Sequence, residues 1–141
     1  MFDTLELLRR DDIDAAKLRL GFVVYGGANR KDWRVVSVKD VKLDPAELRS
    51  QLLPTLRPGA LPKAKVRALV SDCRDLLSAV LPVTRDEREF IERLNDRGEI
   101  AAHLLTDAAV MQKTIQEHPA LRWKAINVRK HRGLPTVDQA E

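Results

Sequence analysis

The sequence is poor in the residues that mark several large classes of protein. Cys73 is the single cysteine, so no internal disulfide can form and nothing indicates an oxidising compartment. Aromatic residues are only 4% of the chain, and Leu, Ala and Val carry its apolar content, which favours helices over a β-sandwich. No apolar run approaches the roughly 18 residues of a membrane span. Because acids lie near the start and a basic leader segment is missing, we expect a cytoplasmic protein without a membrane partner.

What is present predicts one helical domain. A chain of 141 residues has room for one modest core. Charged residues make up 33% of it, which suits amphipathic helices with solvated outer faces. We therefore predict an all-α fold, a single-domain bundle of about six short helices over residues 1–133, followed by a frayed tail at 134–141.

Apolar residues recur three and four positions apart in several segments, as on one face of a helix. The clearest pattern lies in 63–80, where Leu69, Cys73 and Leu76 share a stripe, so we expect this helix to be central and the most buried. Further helices are predicted over 2–10, 15–25, 44–56, 85–97, from Thr106 onward, and over 119–131.

Helix boundaries are marked by capping and breaking residues. Asp44-Pro45 is a typical helix start, and Pro54 should end or kink that helix. Thr84 with Glu87 forms a capping-box pattern. Gly26-Gly27 should stop the helix over 15–25. The irregular stretch 30–43 has no partner strand, so we predict a loop with Trp33 packed inward.

Two C-terminal helices are predicted to bury apolar residues. The helix from Thr106 should turn Val110, Met111 and Ile115 inward. The helix over 119–131 carries Leu121, Trp123, Ile126 and Val128 as its apolar positions.

For most residues that could take part in catalysis or ligand binding, the sequence favours a structural role. The histidines His103, His118 and His131 are widely spaced, so no metal site is predicted. Cys73 lies on a core face and is expected to be inert. Gly26-Gly27 matches no phosphate-loop pattern. The acidic run 86–99 alternates with arginines and predicts a solvated helix with ion pairs four residues apart.

The basic C-terminal helix is the most suggestive feature. Residues 122–132 carry six basic side chains and no acid: Arg122, Lys124, Arg129, Lys130, His131 and Arg132. Except for His131, these residues are our candidate nucleic-acid-binding set, because arginine and lysine bind the phosphate backbone. In the alternative interpretation Trp123 belongs to the core, and the cations cover the outer face and complement the helix dipole.

Three stretches are recognisable together. They are Met-Phe-Asp-Thr-Leu-Glu-Leu-Leu at 1–8, Gly-Glu-Ile-Ala-Ala-His-Leu-Leu-Thr-Asp at 98–107, and His-Pro-Ala-Leu-Arg-Trp-Lys-Ala-Ile-Asn-Val-Arg at 118–129. Over nearly the whole chain they resemble the C-terminal half of AbiEii/AbiGii-type nucleotidyltransferases, the toxins of abortive-infection toxin–antitoxin systems.

The resemblance implies a function shared with a catalytic half. In that family an N-terminal nucleotidyltransferase fold with a Gly-Ser motif and metal-binding aspartates binds a nucleoside triphosphate with magnesium. An Arg-Asp-x-x-Asp-like motif leads into the helical region. Phe2-Asp3 resembles the end of that motif, so Asp3 is the one candidate catalytic residue. The remaining motifs are not in this sequence, which looks cut from something longer. We therefore expect no cofactor on this chain alone and no autonomous catalysis.

Three functional hypotheses remain open at this point. The chain could complete the active-site cleft of a nucleotidyltransferase and help to hold an RNA acceptor. It could instead be a non-catalytic interaction module for an antitoxin or for a separately encoded nucleotidyltransferase half. It could also be a decayed remnant that folds without a function.

Overall fold

A computed structural model describes residues 10, 12–55 and 63–135. These residues form helices and 3₁₀ turns and no strand, so the predicted all-α helical bundle is confirmed. None of the described helices has the length and apolar content needed to cross a membrane. Apart from Arg10, the predicted helix over 2–10 lies outside the described residues, as does most of the tail. The helices are α1 Ala15–Ala28, α2 Pro45–Glu47, α3 Lys63–Leu77, α4 Arg85–Arg97, α5 Ala109–Gln116 and α6 Pro119–Arg132.

Contacts between residues divide the chain into two compact units. The first comprises Met1–Ala15 and Ser37–Pro82, and the second comprises Ala16–Val36 and Val83–Glu141. Helices α2 and α3 belong to the first unit. Helices α4, α5 and α6 belong to the second, together with all but the first residue of α1, so the basic C-terminal helix lies in the second unit.

Helix α2 of the first unit begins at the predicted residue and departs from α-helical geometry after Glu47. The Asp44 carboxylate accepts a hydrogen bond of 2.8 Å from the Ala46 N–H, which caps the helix next to Pro45. The backbone then passes through a π-helical segment, Leu48–Leu52, into a 3₁₀ turn, Leu53–Thr55. Pro54 lies in that turn and cannot donate a helical hydrogen bond, which accounts for the predicted break.

Helix α3 provides the core of the first unit. Leu69 and Cys73 are buried, as predicted for a Cys73 on the core face. The Arg74 guanidinium donates two hydrogen bonds, of 3.1 and 2.8 Å, to the carbonyl oxygen of Val41. The partly buried residues that pack on this core are Val41, Leu76 and Leu77.

The expectation that the helix at 63–80 would be the most buried is wrong. Leu76 and Leu77 are only partly covered, whereas α4 buries Phe90, Ile91 and Leu94 with 0% exposure each. The reason lies in the neighbours of α4, which packs against α6 and against the 3₁₀ turns Trp33–Val35 and Ala102–Leu104. A regular apolar stripe shows which face is buried, and the number of packing partners decides how deeply.

The ends of α4 follow their sequence signals. The Thr84 hydroxyl accepts from the Glu87 N–H at 3.3 Å, and the Glu87 carboxylate accepts from the Thr84 N–H at 2.6 Å, which completes the capping box. Gly98 ends the helix in the left-handed region with φ of 60°. Its N–H caps the carbonyls of Arg93 and Leu94.

Helix α1 does not stop at Gly26-Gly27 but continues to Ala28. Both glycines are buried because other parts of the chain approach them closely. A Cβ atom on Gly26 would lie 2.6 Å from the Trp33 ring, and one on Gly27 would lie 3.3 Å from Phe90. The helix therefore ends within the predicted stop segment 26–29 but three residues later than residue 25, since the two glycines serve close packing inside the helix.

The stretch after α1 is a loop with two 3₁₀ turns, Trp33–Val35 and Val38–Asp40, as predicted without a strand. Trp33 packs inward, also as predicted. Its ring meets Phe22 edge-on with the centroids 4.6 Å apart.

Helix α5 differs from its prediction. It begins at Ala109, and the Thr106 hydroxyl accepts from the Ala108 N–H at 3.2 Å in the preceding turn. The expectation that Val110 and Met111 face inward is wrong, since they are 83% and 37% exposed, while Ile115 is buried. Burial is thus confined to the last turn of this short helix.

We expect Gly98→Ala to destabilise the second unit more than Gly133→Ala. Both glycines have positive φ, so alanine costs each about 1–2 kcal/mol. At Gly98 a Cβ would also collide with the Ala125 carbonyl oxygen, whereas nothing lies within 4 Å of one at Gly133. This overpacking should add about 1–3 kcal/mol, measured by urea denaturation of both variants. Equal losses would contradict the close approach of α4 and α6.

Candidate nucleic-acid interface

Helix α6 carries the candidate site and is fixed in place along one side. Pro119 occupies its first turn and Gly133 ends it with φ of 66°, close to the predicted 119–131. Leu121 and Ala125 are buried, and α6 packs against α4 and α5. The opposite side of the helix is therefore presented to solvent.

The expectation that Trp123 belongs to the core is wrong. Trp123 is 62% exposed and Ile126 is 46% exposed. The cause is the helical rotation, since Trp123 is two residues from both Leu121 and Ala125. Two residues correspond to a rotation of about 200°, which places the indole opposite the buried side.

The exposed side of α6 combines aromatic, apolar and basic side chains. Arg122 and Lys130 are exposed and lie four residues on either side of Ile126. Among the described residues neither cation forms an ion pair, and α6 itself contains no acid. We call this surface the α6 outer face, and its residues are Arg122, Trp123, Ile126, Asn127 and Lys130.

Lys124 is engaged with the end of α1. Its Nζ donates to the carbonyl oxygens of Gly27 at 2.6 Å and Asn29 at 2.8 Å. Burial lowers the pKa of this ammonium group, although the nearby Asp32 charge acts in the opposite direction. Lys124 thus supplies a cation to carbonyls at the C-terminus of α1, where a positive charge is stabilising.

Arg129 and Arg132 also have partners within the second unit. Arg129 donates from Nε to the Gly98 carbonyl at 2.9 Å and from Nη1 to the Pro135 carbonyl at 3.0 Å. Arg132 lies 3.5 Å from the Asp96 carboxylate and is about half exposed. That carboxylate also accepts from Arg34 at 2.8 Å, so two guanidinium groups balance its charge.

The five predicted nucleic-acid-binding residues therefore fall into two groups. Arg122 and Lys130 are exposed on the α6 outer face, whereas Arg132, seven residues after the buried Ala125, lies on the side of α4 and pairs with Asp96. Lys124 and Arg129 donate hydrogen bonds to backbone carbonyl oxygens. Binding of nucleic acid stays a prediction for all five, and Asp3 lies outside the described residues.

A shallow concavity of about 280 Å³ lies beside Trp123, between α4 and α6. Asn95 of α4 lines it, and its Oδ1 is buried without a hydrogen-bond partner. Such an unsatisfied acceptor costs free energy. The other lining residues are Trp123, Lys124, Asn127, Val128, His131 and Arg132.

Sequence reasoning missed an ion pair at the other end of α4. Arg19 of α1 donates from Nε and Nη2 to the two carboxylate oxygens of Glu87 at 2.6 and 2.7 Å. Burial alone would raise the pKa of Glu87, but hydrogen bonds from Arg19 and from the Thr84 N–H outweigh it and lower that pKa. The capping pattern identifies Glu87, but no local signal points to Arg19, which is 68 residues away.

Among the described residues, the predicted pairing four positions apart occurs once in the acidic run. Arg93 pairs with Glu89 at 2.6 Å with a spacing of four residues, on the partly exposed side of α4. A second pair joins Arg93 to Glu99 at 3.1 Å. Exposed pairs of this kind contribute little to stability.

Within the part of the chain that the structure describes, no group of three histidine, cysteine or acidic residues could hold a metal ion. These residues thus offer no ligand set for the magnesium that the resemblance implies for the whole family. Comparison with protein-family models, curated proteins and solved structures gives no match to this chain.

Proposed function

We propose that this chain is the helical C-terminal portion of an AbiEii-type nucleotidyltransferase and binds an RNA acceptor through the α6 outer face. The observation that carries the proposal is the exposure of Trp123 on the same face as Arg122 and Lys130, two cations that form no ion pair with the residues that the structure describes. The likeness of residues 118–129 to that family supports it.

The chemistry of the α6 outer face suits a polyanion with bases. Lysine and arginine neutralise phosphates and release counterions. An exposed indole offers a stacking surface to a base, and any base can use it. Asp96, which pairs with Arg132 of α6, also pairs with Arg34, so its charge adds little repulsion.

In this proposal the chain completes an active-site cleft and is not catalytic alone. A nucleoside triphosphate and magnesium would be bound by the nucleotidyltransferase half, on the same or another polypeptide. The role of this chain in the reaction is to hold the acceptor, and the cytoplasm is its expected location.

A second candidate function is a protein-interaction module. Tyr25 is 69% exposed and Val110 is 83% exposed in the second unit, in addition to Trp123. Exposed aromatic and apolar residues of this kind are enriched in interfaces. The partner would be an antitoxin or a separate nucleotidyltransferase half.

Salt dependence distinguishes the two candidates. If the α6 outer face binds RNA, the logarithm of the affinity should fall linearly with the logarithm of the salt concentration. Replacing both Arg122 and Lys130 by glutamine should reduce this slope by about 1.4, since each phosphate contact on a single strand contributes about 0.7. Fluorescence anisotropy of a labelled oligonucleotide measures the slope.

The control removes the same charge elsewhere. Lys39 and Lys42 are exposed in the first unit, and replacing both by glutamine should leave the slope close to that of the parent. Thermal unfolding should be nearly unchanged in both double variants, because exposed charges contribute little to folding. Equal slopes in the two double variants, or no binding at low salt, would reject the RNA interface.

A further inference from the structure

We infer that the concavity beside Trp123 binds one unpaired nucleobase, so that the chain selects single-stranded over double-stranded RNA. This inference rests on the proposed function and specifies its ligand. It assigns to Trp123 and Asn95 the recognition of a base, whereas Arg122 and Lys130 bind phosphates.

The size and lining of the concavity suit a single planar ring. Its volume of about 280 Å³ is at the lower limit of small-molecule sites, which leaves no space for a helix or a folded loop. Trp123 lines one side with more than half of its surface exposed, and Val128 adds an apolar contact. A base that stacks on the indole would cover both side chains.

Asn95 gives the concavity a polar group without a partner. Its Oδ1 is buried and accepts no hydrogen bond. Asn95 lines the concavity, and because the terminal torsion of asparagine is soft, its amide can rotate to meet a base that enters. The exocyclic amino group of adenine, cytosine or guanine would then donate to Oδ1 and satisfy an acceptor that is otherwise left unpaired.

The charges around the concavity are placed for the backbone of the same nucleotide strand. Arg132 lines it, and Arg122 and Lys130 lie on the α6 outer face. Bases in an RNA duplex are stacked inside the helix, so their faces are not available to the Trp123 indole. Unpaired bases can be turned out to stack on aromatic side chains. Selection for single strands therefore follows from the position of Trp123.

The test compares three labelled ligands of equal length: single-stranded oligoadenylate, its duplex with oligouridylate, and a ribose-phosphate oligomer without bases. The parent should bind the single strand most tightly. Trp123→Leu should weaken binding of the single strand by about 5- to 140-fold, the range expected for one stacked base. It should leave binding of the abasic oligomer unchanged, because phosphate contacts remain.

Two further variants sharpen the result. Tyr25→Leu removes another exposed aromatic ring of the second unit that does not line the concavity, so it should bind all three ligands like the parent. Asn95→Leu should reduce the preference for the single strand over the abasic oligomer while Trp123 fluorescence is still quenched by bases.

The outcomes separate the inference from the proposed function. If the parent binds all three ligands equally and Trp123→Leu changes nothing, the base site is wrong and the phosphate interface stands. If the parent binds none of the three at low salt, the proposed function fails and the base site fails with it. A protein that binds to Trp123 and Ile126 with an affinity independent of the salt concentration would contradict the base site and favour the interaction module.

Discussion

Replacing Phe90 by alanine is expected to lower the free energy of unfolding of the second unit by about 3–5 kcal/mol. Phe90 has 0% exposure on α4, the helix that contacts α6 and two 3₁₀ turns. Its ring also borders Gly27 of α1, so the truncation leaves a cavity where several segments meet. Urea denaturation followed by circular dichroism measures the loss.

Val110→Ala is the matched control for Phe90→Ala. Val110 is 83% exposed on α5, and its truncation should change the free energy of unfolding by less than about 0.5 kcal/mol. If Phe90→Ala also costs less than about 1 kcal/mol, α4 is not the core of the second unit.

We expect Arg19→Met to destabilise the second unit by about 3 kcal/mol, the lower end of the range for breaking a buried ion pair. The Glu87 carboxylate is only 12% exposed, and without Arg19 it becomes a buried charge that keeps only its cap hydrogen bond to the Thr84 N–H. The figure is at the lower end because the Arg19 side chain is 25% exposed.

A double variant tests whether the Glu87 charge, left without Arg19, causes the loss of stability. Adding Glu87→Gln to Arg19→Met removes the charge and keeps a side chain that can serve in the capping box. The double variant should therefore be more stable than Arg19→Met alone. If it is less stable, the loss in the single variant reflects packing of the aliphatic part of the Arg19 side chain.

Lys113→Met is the control for an exposed ion pair. It breaks the pair with Glu117 and should lower the free energy of unfolding by less than about 1 kcal/mol.

Local signals predicted the helices whose ends depend on local chemistry. Thr84, Glu87 and Gly98 set the limits of α4, and Pro119 with Gly133 set those of α6. In each case the deciding hydrogen bonds or dihedral angles involve residues only a few positions apart. Such boundaries can be derived from one sequence.

Features that depend on distant packing could not be derived in this way. Gly26-Gly27 has the pattern of a helix stop, but Trp33 and Phe90 occupy the space beside the two glycines and the helix continues. The same applies to the depth of burial of α3, whose stripe is regular but has fewer partners. An apolar pattern in the sequence indicates which face of a helix is buried. Which segments cover that face depends on tertiary contacts.

The roles of the α6 residues could be derived from the sequence only in part. The sequence left Trp123 either in the core or beside the cations, although its spacing from Leu121 already places it opposite the buried side. Charge alone could not separate Lys124 and Arg129 from the free cations. Their partners, the carbonyls of Gly27 and Gly98, are 97 and 31 residues away.

The distance of 97 residues between Gly27 and Lys124 has a consequence for synthesis of the protein. At about 5–20 residues per second, a ribosome needs roughly 5–20 s to reach Lys124 after it has passed α1. Throughout that interval Val23 and Val24, which are buried in the finished structure, lack the complete helix α6 of their own unit. The nascent chain therefore exposes the two valines of α1 for seconds, until the C-terminal helix that completes their unit has been made.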